Sequence, residues 1–168
     1  MSNHLRLKIG DLVVRYGKVL KVSQLNKDTI SLQPLSKLQS SNGLTFTIKF
    51  DSPQEGHLRR LISKDKLKQL MNQIIKKPIT KEDCPVYDSN SALNSNRLAD
   101  SLWVIKTLFL EKQEKSNTLP GGKLTIFQKA LIQITEEVAA VTNTTIEKAK
   151  TQLLSALKIS TDSSLKNS

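Results

Sequence analysis

Toward the C-terminus, apolar residues return every three or four positions. Leu98, Leu102, Ile105 and Phe109 stand at i, i+4, i+7 and i+11; Phe127, Leu131, Ile134, Val138 and Val141 form a second such set, and Ile146, Ala149, Leu153 and Leu157 a third. This period places each set on one face of an α-helix. A helix with a single apolar stripe needs partners to cover it, so the three segments are expected to pack together as a small helical domain over residues 97–159.

The N-terminal pattern is that of strands. Lys8-Ile9-Gly10-Asp11 leads into Leu12-Val13-Val14-Arg15-Tyr16, and Lys18-Val19-Leu20-Lys21-Val22 follows, two strands pivoting on Gly17. Asn26-Lys27-Asp28 signals a turn before the alternating Thr29-Ile30-Ser31-Leu32, which Pro34 ends. A polar loop from Ser36 to Gly43 precedes the cleanest alternation, in which Leu44, Phe46, Ile48 and Phe50 share one face that must be covered. Leu58-Arg59-Arg60-Leu61-Ile62 adds a last strand. Ser63 then N-caps a helix with the stripe Leu67, Leu70, Met71 and Ile74; Lys76 and Lys77 suit its C-terminal dipole, and Pro78 stops it. Several short strands in about 60 residues leave little room for helices, which implies a strongly bent sheet or a small SH3/Tudor-like barrel. The expected class is therefore α+β, a β module at 1–77 ending in a helix, followed by an all-α domain.

Between the two, from Pro78 to Asn96, the composition shifts to Pro, Thr, Asp, Ser and Asn, as in a linker. The first helix of the all-α domain is expected to begin near Ser95 or earlier and to reach about Lys115. The second starts either at a Thr125–Gln128 capping box or at Pro120, tolerating Gly121 and Gly122. A Thr144–Glu147 box opens the third, and residues 160–168 are expected to form a polar, frayed and flexible tail.

Charge adds a partner class. The 168 residues carry a formal charge of +11 with 38% hydrophobic residues, which suits two modest cores and an acidic partner such as nucleic acid or an acidic protein surface. The excess is uneven. Residues 1–60 hold ten Lys/Arg against four Asp/Glu, residues 61–86 six against three, and residues 87–168 ten against eight. Basic residues cluster on or beside strands at Arg15, Lys18, Lys21 and Lys49, and around the first helix at Arg59, Arg60, Lys64, Lys66 and Lys68. Such clusters suit phosphate neutralisation, docking on acidic protein, or simple solubility.

Chemistry is sparse. A lone Cys84 forms no intramolecular disulfide, and His4 and His57 give no zinc spacing, so neither metal nor cofactor is expected. No apolar run approaches the roughly 20 residues of a membrane span, and the first residues are too charged for a signal peptide, so a cytoplasmic monomer is the expectation. No phosphate loop or nucleophile–base motif occurs, and the adjacent Glu136 and Glu137 fit one solvated acid and one local salt bridge better than acid/base catalysis. Trp103 lies at the edge of the first stripe and fits a core or rim. Tyr87 has no stripe to join; it suits either packing between the domains or contact with something outside them.

These features together resemble the CarD family of bacterial RNA polymerase-binding regulators, whose β module is shared with transcription-repair coupling factors. Lys8-Ile9-Gly10-Asp11-Leu12-Val13-Val14 is similar to the family's opening strand; Thr47-Ile48-Lys49 looks like its polymerase-facing strand, with Lys49 at the place of a contacting arginine. Leu58-Arg59 and the Leu67–Leu70 helix resemble the end of that module. Leu108-Phe109, Gln113-Glu114-Lys115, Leu119, Phe127 and Glu137-Val138-Ala139 follow the order of its C-terminal helices. There are departures. Arg15-Tyr16 replaces the Tyr-Pro after the paired valines, the proline after the polymerase-facing strand is missing, and Tyr87 followed by Asp88-Ser89-Asn90 stands nearest the family's wedge tryptophan and its basic residues.

The resemblance implies a non-enzymatic transcription regulator. Its β module would dock on the RNA polymerase β subunit, with Arg15, Lys18, Lys49 and Arg59 as contacts. Its linker and helical domain would reach promoter DNA at the opening bubble, through Lys76, Lys77, Tyr87 and Arg97. The alternative is a free-standing basic module that binds nucleic acid without polymerase.

Overall fold

The computed structural model describes residues 6–35, 44–49, 58–77 and 88–165. They form an α+β architecture: a five-stranded, curled antiparallel sheet, a half-barrel, followed by helices. The strands are β1 (Leu12–Arg15), β2 (Lys18–Leu25), β3 (Thr29–Pro34), β4 (Phe46–Lys49) and β5 (Leu58–Arg60), in the spatial order β4-β3-β2-β1-β5. The helices are α1 (Lys64–Leu70), which runs on into a π-helical turn at Met71–Ile75, α2 (Ser89–Asn94), α3 (Leu98–Glu114), α4 (Gly121–Thr142) and α5 (Ile146–Leu165).

The first hairpin follows from its two turn residues. Tyr16 and Gly17 both take positive φ, 49° and 75°, between the paired Arg15 and Lys18, the type I′ geometry whose twist matches the flanking strands. Glycine is required here twice over. A Cβ on Gly17 would lie 2.3 Å from Cδ of Gln133, a side chain from α4 that is itself buried. Gly17→Ala is therefore expected to destabilise the fold by about 2–3 kcal/mol, since strain at φ and a clash with a fixed neighbour add. A thermal melt matching the native protein would contradict this.

Alternation then sorts the strand residues. Val13 and its partner Leu20 join Val22, Ile30, Leu32, Ile48 and Leu58 in a β core. Val14 and Val19, paired on the opposite side, are equally buried. That side meets the helices, and α4 lies against β2. A bulge between Val22 and Gln24 adds to the curl. The alternating face of the fourth strand is only partly covered: Ile48 is buried, but Leu44 and Phe46 remain exposed, and Phe50 lies outside the described residues.

The helical core is the larger one. Leu98, Leu102, Ile105 and Phe109 from α3, Phe127, Ile134 and Val138 from α4, and Ala149, Leu153 and Leu157 from α5 are buried together, with the Phe109 and Phe127 rings stacked 6.5 Å apart. Trp103 packs half-buried at its rim, and α4 begins directly after Pro120 rather than at Thr125. Asn143, in the left-handed conformation at φ 55°, ends α4 and turns the chain into α5. The cap of α5 is Thr145, whose hydroxyl accepts the Lys148 N–H at 3.2 Å, one residue later than the expected Thr144.

Helix α1 starts as expected, with Ser63 accepting the Lys66 N–H. Its packing differs from the sequence grouping, because Leu67, Ile74 and Ile75 belong to the helical core. The π turn explains the adjacent pair: Lys76 N–H bonds Met71 O at 2.9 Å, five residues back, so both Ile74 and Ile75 face inward. The stretch 78–96 also contains structure, since Ala92 and Leu93 of α2 are buried in the same core.

Candidate binding surfaces

Arg59 stands on β5 opposite Val14 and points at the helices. Its two terminal nitrogens donate to the two carboxylate oxygens of Glu137 on α4, both at 2.6 Å, and its Nε donates to the backbone oxygen of Asn96. Such a planar, bidentate pair fixes orientation as well as charge. Glu137 is 1% exposed. The expected local salt bridge is thus corrected to a pairing across 78 residues.

Two buried amides complete the seam. Asn96, at φ 61°, accepts the Gly17 N–H and donates to Val14 O, each at 3.2 Å. Gln133 donates to Tyr16 O at 3.1 Å and accepts from Ser101. Val14 O on β1 and the turn's Tyr16 O and Gly17 N–H are thereby satisfied by side chains from outside the sheet. Neither amide was singled out in the sequence. An Asn before a helix and a Gln on an apolar face are common, and only the fold supplies their partners.

Beside the seam lies an open cleft of about 730 Å³ whose walls include Leu12, Val19, Ala139, Ala140 and the Asn143–Ile146 turn. Glu136 lines it, half-buried, and burial pushes its carboxyl above the usual range although the Val19 N–H and Lys18 oppose the shift. Among the described lining residues Glu136 is the one acid, and the hydroxyl-bearing Thr144 and Thr145 stand in the same lining. Among the described residues no cluster of three or more His, Cys, Asp or Glu could hold a metal ion. None of their helices is long and apolar enough to cross a membrane.

The structure divides the four expected polymerase contacts. Arg59 is engaged in the seam, Lys18 lies near Glu136, and the Arg15 guanidinium sits 5.2 Å from the Tyr16 ring centre, so these three gather where the hairpin meets the helices. Lys49 is apart from them. It is exposed on β4, an outer strand of the sheet, separated from β1 by β3 and β2. Among the described residues the outer side of β4 is an edge of the kind that accepts another strand, and exposed Leu44 and Phe46 precede Lys49 along it.

The expected DNA contacts are also separate. Lys76 and Lys77 are exposed just after the π turn, and Lys76 lines one surface together with Lys64 and Lys68 of α1. Arg97, exposed at the start of α3, bonds Asp100 at 2.8 Å. Tyr87 and Cys84 lie outside the described residues. The molecule is thus of a class defined by geometry, a half-barrel sheet braced against a helical layer by buried polar groups. Compared with known proteins, the chain matches no family model and no curated sequence.

Proposed function

We propose that this chain is a non-enzymatic transcription regulator of the cytoplasm, in which an SH3/Tudor-like β module docks on the RNA polymerase β subunit. The basic end of α1, Tyr87 and Arg97 reach promoter DNA and alter the stability of the open complex. The observation that carries the reading is the β4 edge, where Phe46, Thr47 and Lys49 are exposed on an outer strand. Strand addition there would give main-chain hydrogen bonds, an aromatic contact and one cation for an acidic partner. Lys49, rather than Arg59, is the cation that docking uses.

Phe46→Ser/Lys49→Glu is expected to weaken binding to immobilised polymerase β subunit by about tenfold or more while leaving the thermal midpoint nearly unchanged, since both side chains are at the surface. Native protein that fails to bind the β subunit would overturn the polymerase role. The lysines of α1 favour a second reading, polymerase-independent nucleic-acid binding. In that case the double variant would keep native affinity for duplex DNA, and that affinity would fall steeply with salt.

A further inference from the structure

A second surface, on the helical layer, has the makings of a protein-docking groove. It runs between α1 and α5 over α4, with a volume of about 330 Å³, at the small end of the roughly 300–1,000 Å³ of binding clefts. Lys64, Leu67 and Lys68 of α1 with Met71 of the π turn form one wall, and Ala149, Gln152, Leu153 and Ala156 of α5 the other. Both sets stand at i, i+3, i+4 and i+7, so each wall is two helical turns, or about 10 Å, long.

The two parts of this groove differ in chemistry. Val138 and Thr142 of α4 make its floor, Leu67, Met71, Leu153 and Ala156 make its walls apolar, and among the described residues every charged one that lines it is a lysine: Lys64, Lys68 and, at one end, Lys76. We propose that the groove docks an acidic amphipathic helix of a partner protein. An apolar stripe of two turns would pack between the apolar walls, and carboxylates flanking the stripe would meet the lysines, the usual helix-in-groove arrangement with complementary charge. Duplex DNA offers phosphates but no apolar stripe, and would leave Met71 and Ala156 facing charge. The proposal does not rest on polymerase docking, because the β4 edge belongs to the sheet and contributes nothing to this groove; Lys76 is the residue it shares with the proposed DNA contacts.

The test is fluorescence anisotropy on the full chain with a labelled synthetic helix of about four turns, carrying leucines at i, i+3, i+4 and i+7 and glutamates on the flanking positions. The native protein is expected to bind it, and to bind a peptide of the same composition with scattered leucines about tenfold more weakly or worse. Lys64→Glu/Lys68→Glu/Lys76→Glu, confined to exposed positions, should reduce affinity by about tenfold or more, as should Ala156→Phe, which fills the groove. Equal binding of the scattered peptide overturns the proposal. So does unchanged affinity in either variant, provided its thermal melt is native. Displacement of the peptide by a short DNA duplex, with Ala156→Phe still binding that duplex normally, would make the face a nucleic-acid surface and overturn it too.

Discussion

Lys106→Met should lower the unfolding free energy by about 3 kcal/mol, the cost of leaving buried acceptors without a donor. Lys106 is 1% exposed, yet its ammonium is fully used: it donates to Ile74 O at 2.5 Å, to Ile75 O at 2.9 Å and to Lys77 O. These are the last two carbonyls of the π turn and one just past it, which have no partner further along the helix. A cation at a helix C-terminus also meets the negative end of the dipole. Methionine keeps the stem and its packing but removes all three donors, so the loss measures the cap rather than a cavity. Lys106→Ala should cost about 2 kcal/mol more, because the stem goes as well. Urea unfolding checks both, and a midpoint for Lys106→Met within about 0.5 kcal/mol of native would show that water replaces the ammonium.

That lysine illustrates what the sequence does and does not carry. Lys106 stands four residues after Leu102 and three before Phe109, inside the stripe that defines α3, so its inward direction was legible from spacing alone. Its acceptors were not, since they lie about 30 positions earlier and depend on where α1 docks. The same holds for Glu137, three residues after Ile134 on the buried face of α4, whose partner is on β5. Periodicity recovered the three long helices and most strands because burial of one face is a local property of the pattern. It placed α1 with the sheet because Pro78 and the polar residues after it look like a boundary, although Leu67, Ile74 and Ile75 pack with α3. The π turn has no signature in residue type. The candidate site was legible by composition only: the basic residues were visible, but which are held internally, as Arg59 is, depends on the tertiary seam.

Arg59 and Glu137 provide the second large effect, and one that links stability to function. Arg59→Met or Glu137→Leu alone should cost about 3–5 kcal/mol, because either leaves a desolvated charge without its counterion. The double substitution should cost about 1–3 kcal/mol, far less than the sum, since the desolvation of both ions disappears along with their attraction and what remains lost is chiefly the bond from Arg59 to Asn96 O. A double-mutant cycle on urea unfolding measures the difference, and additive single effects would show the pair to be uncoupled. The single variants should also loosen the two layers unequally. The sheet's own core is the smaller, and Val14 and Val19 are buried by the helical layer, so amides of β1 and β2 should lose hydrogen-exchange protection while those inside α3 and α4 keep theirs. On the proposed function this separates two activities that docking alone would not. Lys49 and the β4 edge are remote from the pair, so Arg59→Met should still bind the polymerase β subunit. The helical body would no longer be held at a fixed angle to the sheet, and the lifetime of the open promoter complex should fall toward that without the protein. If that lifetime instead stayed native in Arg59→Met while hydrogen exchange showed the seam open, the helices would have to reach DNA without being oriented by the sheet.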